Sequence, residues 1–185
     1  MNLQGAIYLF TIMLPMCVVD DYLYFSASRG AGICNFYRSK NPVTEPFEEI
    51  PGSFTFWDPN LFYDDDGRLY FYWGCSNTKP IYGVELDRQT MKPLCEPATL
   101  IFSDNKKIGY ERVGGDHVSP NNSAPYIEGA WVTKHDGKYY LQYAAPGTEY
   151  NIYADGVYVS NGVTRLINCT TRIWFSAKPV SVSAR

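Results

Sequence analysis

Runs of alternating aromatic and aliphatic residues recur along the chain, and each run follows an acidic or glycine-containing turn. The pattern is clearest at residues 20–26, 66–72 and 136–142. A period of two is typical of β-strands, because successive side chains of a strand point to opposite faces. Asp-Gly between two such runs favours a hairpin with a type I′ turn, since that turn needs positive φ at both central positions. The pattern therefore predicts β-hairpins, and no helical periodicity of useful length appears.

Each of these runs is followed by a second strand-like run, at residues 33–38, 81–86 and 152–159. Each unit is thus expected to form a small antiparallel sheet. The equivalent tyrosines, Tyr24, Tyr70 and Tyr140, recur at a spacing that suits propeller blades of about 40 to 50 residues, with a longer loop in the second interval. A β-sandwich also has short strands, but it does not predict one motif recurring at blade-like spacing. The predicted fold class is all-β, a partial β-propeller of about three blades.

Composition agrees with this fold class and excludes some partners. Aromatic residues make up 16% of the 185 residues, which favours strands. The net charge is −3 and Lys and Arg are not clustered, so nucleic acid is not an expected partner. The five cysteines are widely spaced and form no C-x-x-C pair, so they are predicted to be packing residues. No metal site and no cofactor are predicted.

The beginning of the chain is apolar almost without interruption from residue 6 to residue 19. This run is shorter than the roughly 20 residues that span a bilayer, so no membrane span is predicted. A signal peptide and a buried strand of an incomplete first repeat both remain open, and with them the compartment, including secretion or the periplasm. The predicted organisation is an apolar leader at 1–19, a partial propeller at 20–162 and an unassigned tail at 163–185. The oligomeric state is not predicted.

Two carboxyl groups stand out by their neighbours. Asp58 lies between Phe56-Trp57 and Pro59, just before a predicted strand, where aromatic rings can desolvate it and move its pKa. Glu128 lies in an apolar run and is followed by Gly129, which permits the close approach of a ligand. Each acid alone can be structural, Asp58 by capping a turn and Glu128 by pairing with a lysine. Together, at the entrances of comparable strands, they are predicted to face one shared cavity.

The other candidates carry weaker signals. Asp64 to Asp66 are predicted to form a solvated turn. Trp57, Trp73 and Trp131 can stack on sugar rings, although core packing is the commoner fate of such residues. His117, in a glycine-rich loop, can line a binding subsite or be an exposed histidine without a role.

These segments resemble glycoside hydrolase family 43, whose members are five-bladed propellers with the active site at the centre of the ring. Residues 58–62 match the Asp-Pro-x-x-Phe signature, and residues 128–131 with 134–141 match Glu-Gly-Pro/Ala-Trp before Lys-x-x-Gly-x-Tyr-Tyr-Leu. Residues 39–47 are similar to a loop of the family's blades, with Glu45 in place of the usual Gly. The resemblance covers about residues 19 to 160 and implies that this chain is a truncated member.

The resemblance implies an inverting hydrolase that cleaves arabinose- or xylose-containing plant polysaccharides. By position, Glu128 corresponds to the general acid and Asp58 to the acid that orients it and holds its pKa up. The residues expected to contact the oligo- or polysaccharide are Trp57, Asn60, His117 and Trp131.

The general base of the family is an Asp of the first blade, and no Asp precedes Asp20 here. The base is therefore expected to be missing from this chain, and little or no turnover is predicted for the chain alone. The alternative is a non-catalytic carbohydrate-binding propeller remnant that uses the same aromatic cleft.

Overall fold

The computed structural model describes residues 16–113 and 124–160 and the backbone of residues 180–181. In this part the chain forms three antiparallel sheets, and the one helical segment among the described residues is the short 3₁₀ helix Gly109–Glu111. The all-β prediction is therefore confirmed. Across the same ranges, no helix has the length and apolar character that crossing a membrane requires.

The first sheet begins within the segment that was predicted to be a leader. Its strands, in spatial order, are β1 (Met16–Val19), β2 (Tyr22–Ser26), β3 (Phe36–Ser39) and β4 (Glu48–Ile50). Val19 pairs with Tyr22 across a two-residue turn in which Asp20 has a φ of 53°. For residues 16–19 the structure therefore shows a strand of the first repeat.

The second sheet has the same order. Its strands are β5 (Asn60–Tyr63), β6 (Leu69–Trp73), β8 (Ile81–Leu86) and β9 (Ala98–Ile101). All five residues of β6 are buried, because the strand lies between two layers of packed side chains. Leu69, Phe71 and Trp73 face the first sheet, whereas Tyr70 and Tyr72 face the third.

The third sheet is connected to the second by a short strand, β7 (Cys75–Ser76), which follows β6 after Gly74. The remaining strands, in chain order, are β10 (Ile127–His135), β11 (Lys138–Ala145), β12 (Ala154–Ser160) and β13 (Val180–Ser181). β7 pairs with β10, and β13 pairs with β12 at the other edge. Two residues of the predicted tail thus join this sheet.

The two Asp-Gly turns differ in geometry. Asp136 and Gly137 both have positive φ, at 49° and 72°, as the type I′ prediction requires. At the other turn, Asp64 and Arg68 close the hairpin with an N–H to carbonyl bond of 2.9 Å, and of the loop residues between them only Gly67 has positive φ, at 79°. The type I′ prediction is wrong there, because a three-residue loop needs a single left-handed residue at its end.

Asp64 lies in the interface between the second and third sheets. Its carboxylate accepts hydrogen bonds from Lys134 Nζ at 2.6 Å and from Tyr139 Oη at 2.5 Å, and only 4% of its side chain is exposed. The prediction of a solvated turn is therefore wrong for Asp64, although Asp65 and Asp66 are exposed. An acid at a turn can be drawn inward when the neighbouring sheet offers it an ammonium group and a hydroxyl.

The hydrophobic core consists of two clusters, one between each pair of neighbouring sheets. This arrangement is typical of propeller blades, which bury their faces against one another. β1 contacts β5, and β5 contacts β10. One strand from each of the three sheets therefore lies beside a strand of the next sheet. The residues at the entrances of β5 and β10 are therefore brought together, although they are far apart in the chain.

Candidate active site

Asp58 lies two residues before the start of β5 and has a left-handed backbone conformation, with a φ of 49°. Its N–H donates to Ser28 Oγ at 3.2 Å, and its Oδ2 accepts a hydrogen bond from the Gly129 N–H at 3.2 Å. Non-glycine residues in this conformation are strained by about 1–3 kcal/mol and cluster at functional sites. With this backbone conformation, the Asp58 carboxyl group is hydrogen-bonded to Gly129 of the third sheet.

Glu128 lies on β10 beside a β-bulge. The pairing of β10 with β11 shifts register between Glu128 and Trp131, and Gly129 has a φ of 65°. A bulge re-aims the side chains next to it, and Gly129 supplies the left-handed residue at no steric cost. In the folded chain Gly129 therefore presents its N–H to Asp58, a contact different from the ligand approach expected from the sequence.

The structure brings the two predicted acids together. One carboxylate oxygen of Asp58, one of Glu128 and the sulfur of Cys75 all lie within 4.8 Å of one another. Burial raises the pKa of Asp58 above its ordinary value, and the charge of Glu128 raises it further. The expectation that the two carboxyl groups come together in space agrees with this geometry.

Two hydrogen-bond donors hold the Glu128 carboxyl group. Cys75 Sγ donates to Oε2 at 3.0 Å, and Tyr153 Oη donates to Oε1 at 2.7 Å. Burial raises the pKa of the Cys75 thiol, and the hydrogen bond to Glu128 raises it further, so the sulfur keeps its proton. Burial and then Glu128 raise the pKa of the Tyr153 hydroxyl in the same way.

Neither Cys75 nor Tyr153 was identified from the sequence as part of the site. The prediction that the cysteines are packing residues is wrong for Cys75, which pairs with Glu128 across β7 and β10. No spacing signal was available, because Cys75 is 53 residues and Tyr153 is 25 residues from Glu128. Cys75 contacts Glu128 only because β7 pairs with β10.

Among the described residues, one group of potential metal ligands is compact enough to share an ion. It consists of the same three residues, Asp58, Cys75 and Glu128. A metal would take Cys75 as a thiolate, whereas here the thiol is a hydrogen-bond donor to Glu128. Hydrogen bonding is sufficient to account for the cluster. The absence of a metal stays a prediction.

The other residues that were predicted to contact sugar differ in their exposure and in whether they line a cavity. Trp57 is 44% exposed and lines a cavity beside Cys75. Trp131 is half-buried on β10 and is not among the residues that line this cavity. His117 lies outside the described residues.

Asn60 is placed in the core instead of the site. It is 1% exposed, and its Oδ1 accepts a hydrogen bond from the Val132 N–H at 3.0 Å. The expectation that Asn60 contacts sugar therefore does not agree with the structure. A buried amide must satisfy its hydrogen bonds within the protein, and here it ties β5 to β10.

Comparison with known proteins gives a consistent result for most of the chain. The sequence model of Glycosyl hydrolases family 43 matches residues 20–168. A beta-xylosidase of Xylanibacter ruminicola is 25% identical over 164 residues, which are 76% of this chain and 51% of the relative. A xylosidase/arabinosidase 43A of Humicola insolens is 27% identical over 158 residues, or 70% of this chain and 48% of the relative.

Solved structures confirm the fold. A thermostable family-43 glycoside hydrolase superposes with a TM-score of 0.64 at 23% identity, covering 92% of this chain and 55% of the other. An α-L-arabinofuranosidase of Clostridium thermocellum ATCC 27405 superposes with a TM-score of 0.61 at 21% identity, covering 90% and 50%. The chain thus spans about half the length of each of these four relatives, which agrees with a partial propeller.

Proposed function

Since this chain belongs to glycosyl hydrolases family 43, we propose that it is part of a xylosidase- or arabinosidase-type glycoside hydrolase in which Glu128 is the general acid. Asp58 is the carboxyl group that modulates the acid's protonation. The substrate is an arabinose- or xylose-containing oligo- or polysaccharide. The names of the relatives, which include a beta-xylosidase and a xylosidase/arabinosidase, support this substrate class.

The observation that carries the proposal is the approach of Asp58 and Glu128 from two different sheets. One oxygen of each carboxyl group lies within 4.8 Å of the other, and the charge of Glu128 adds to burial in raising the pKa of Asp58. A site that protonates a leaving oxygen near neutral pH needs a carboxyl group that keeps its proton there. In this proposal Glu128 donates the proton, and beside it Asp58 accepts a hydrogen bond from the Gly129 N–H.

Orientation of the acid is the task of Cys75 and Tyr153. Their hydrogen bonds, at 3.0 and 2.7 Å, reach the two different oxygens of Glu128. A carboxyl group held at both oxygens has little freedom to rotate, so one oxygen is kept in a constant direction toward a bound glycosidic oxygen. Both residues are positioning residues, because they act through Glu128.

The mechanism proposed is inversion. The acid protonates the departing oxygen while a base activates a water molecule on the opposite face of the sugar, with the two groups about 6.5–9.5 Å apart. We assign no base among residues 16–113 and 124–160, and the family resemblance puts that base upstream of Asp20. The 185-residue chain alone is therefore expected to catalyse hydrolysis of the glycosidic bond very slowly.

The test replaces the missing base by a nucleophile that needs no deprotonation. The chain is incubated with azide and either a phenyl or a 2,4-dinitrophenyl glycoside of arabinofuranose and xylose. The phenyl group leaves only when it is protonated, whereas dinitrophenolate leaves unaided. Glu128→Gln is expected to slow formation of the glycosyl azide from the phenyl glycoside by about 100-fold or more, with little change for the dinitrophenyl substrate.

Glu45→Gln is the matched control, because it makes the same chemical change at an exposed position. NMR of the glycosyl azide reports inversion or retention at the anomeric carbon. Equal effects of Glu128→Gln on both leaving groups would exclude its role as acid. Sugar binding that Trp57→Ala weakens and Glu128→Gln leaves unchanged, without any azide product, would favour the non-catalytic carbohydrate-binding alternative.

A further inference from the structure

The bulge beside Glu128 is held by two side chains of the segment that enters β5 in the neighbouring sheet. Asp58 Oδ2 accepts a hydrogen bond from the Gly129 N–H at 3.2 Å, and Asn60 Oδ1 accepts one from the Val132 N–H at 3.0 Å. The first contact lies inside the bulge and the second directly after it. We propose that Asn60 is a positioning residue for the reaction, because its side-chain oxygen anchors the far end of the bulge and thereby fixes the direction of Glu128.

β10 lacks a strand partner on one side over most of its length. β11 pairs with it on the other side, whereas β7 pairs with it only at Ile127 and Glu128. Among the described strands, none pairs with that side of β10 farther along. Buried N–H groups need an acceptor, and without a strand the acceptor must come from a side chain. Asp58 and Asn60 supply such acceptors just past the end of β7.

Asn60 is suited to this task because its own position is fixed. It is 1% exposed, and it pairs with Tyr72 of β6, a strand that is buried along its whole length. Its amide group also donates to the Leu61 carbonyl oxygen at 3.5 Å. A buried N–H that loses its acceptor costs more than the net contribution of one hydrogen bond, so the Val132 N–H resists any shift of the bulge that would separate it from Asn60.

The bulge determines which way Glu128 points. A β-bulge re-aims the side chains next to it, and a slip of one residue would turn them to the opposite face of the sheet. Cys75 and Tyr153 then hold the two oxygens of the carboxyl group once the bulge has brought it to them. The inference rests on the proposed function, because the direction of Glu128 matters to the reaction only if Glu128 is the acid.

The experiment compares the phenyl and dinitrophenyl glycosides in variants of Asn60, with azide as the nucleophile. Asn60→Leu keeps the approximate volume but has no acceptor, and Asn60→Ser has a side chain too short to reach the Val132 N–H. Both should slow formation of the glycosyl azide from the phenyl glycoside roughly tenfold, with little change for the dinitrophenyl glycoside, since only the first reaction needs a well-placed acid. Asn60→Asp keeps an oxygen in place and should retain most of the phenyl rate.

Val84→Ala is the control for a general loss of stability, because Val84 is also buried but lies in the core between the first and second sheets. It should leave the ratio of the two rates unchanged. The ¹³C carboxyl resonance of Glu128 provides a readout that needs no activity. This resonance should shift in Asn60→Leu and Asn60→Ser and return toward its original position in Asn60→Asp.

A folded Asn60→Leu or Asn60→Ser variant with the original ratio of the two rates would overturn the inference. If neither variant folds, the original chain decides, because the absence of a scalar coupling across the hydrogen bond between Val132 and Asn60 would contradict the anchor. Failure of the proposed function is a separate outcome. In that case Glu128→Gln itself shows no leaving-group dependence, and the Glu128 resonance still decides whether Asn60 sets the direction of Glu128.

Discussion

The buried contact between Asp64 and Lys134 allows a sharp prediction about stability. The Asp64 carboxylate accepts from Lys134 Nζ at 2.6 Å, from Tyr139 Oη at 2.5 Å and from the Asp65 N–H at 2.7 Å. The side chain of Asp64 is 4% exposed and that of Lys134 is 24% exposed. Lys134→Met removes the ammonium group and leaves the carboxylate with neutral donors in a buried position.

The size of the effect follows from this burial. A hydrogen bond to a charged group contributes about 1.5–3 kcal/mol, and breaking a buried ion pair by removing one partner costs about 3–5 kcal/mol. Because two neutral donors remain on Asp64, we expect a loss of about 2–4 kcal/mol in the free energy of unfolding. For a chain of this size that corresponds to a fall in thermal midpoint of roughly 5–15 °C.

The effect should depend on pH with a definite sign. Burial raises the pKa of Asp64, but the hydrogen bonds from Lys134 and Tyr139 outweigh burial, and the pKa lies below its ordinary value. A carboxyl group with a depressed pKa in the folded state contributes stability above its unfolded pKa of about 3.9 and loses it as pH falls through the folded pKa. The gap between the original chain and Lys134→Met should therefore be largest near pH 7 and shrink below about pH 4.

The assay is urea unfolding, followed by tryptophan fluorescence and circular dichroism at neutral and acidic pH. Lys138→Met is the matched control, because Lys138 is exposed on the neighbouring strand and its loss should change stability by less than about 0.5 kcal/mol. The reasoning is refuted if Lys134→Met costs no more than the control, or if the gap is the same at both pH values.

Three further predictions concern the site and the packing behind it. Glu128→Gln should lower the pKa of Asp58, measured from its ¹³C carboxyl shift, because it removes the charge that adds to burial; an unchanged titration contradicts the coupling. Burial raises the pKa of Glu111 in the folded state. Its contribution to the free energy of unfolding is therefore fully present below its unfolded pKa of about 4.3 and is lost as pH rises through its folded pKa. The stability of Glu111→Gln relative to the original chain should therefore increase from about pH 4 to 7, and a flat difference in urea unfolding speaks against this. Gly156→Ala should cost about 1–3 kcal/mol, because the new Cβ lies 1.8 Å from Tyr110 Oη; an unchanged thermal midpoint would show that the ring moves aside freely.

The parts of the protein that could be predicted from sequence are those governed by local rules. Alternation of side chains predicted the hairpins, and β6 shows the alternation most fully, since its odd and even residues enter two different cores. Asp58 and Glu128 were identifiable because each lies in a distinctive local context before or within a strand. The recurrence of one motif also predicted several similar sheets, which pack as expected.

The contacts that complete the site could not be predicted in this way. Cys75 reaches Glu128 only because β7 crosses from the second sheet to the third, and Asp64 is buried only because Lys134 and Tyr139 of the neighbouring sheet face it. Asn60 was predicted to contact sugar, but its side-chain oxygen accepts a hydrogen bond from the Val132 N–H instead. Each of these interactions joins residues more than 50 positions apart.

By itself the sequence therefore determined the strands, their turns and the two acids, because period, turn chemistry and immediate neighbours act over a few residues. Only the tertiary structure decided which polar groups meet, which acid is buried and which aromatic rings border a cavity. Those outcomes depend on the packing of one sheet against the next, where side chains distant in the chain compete for the same hydrogen bonds and the same buried space.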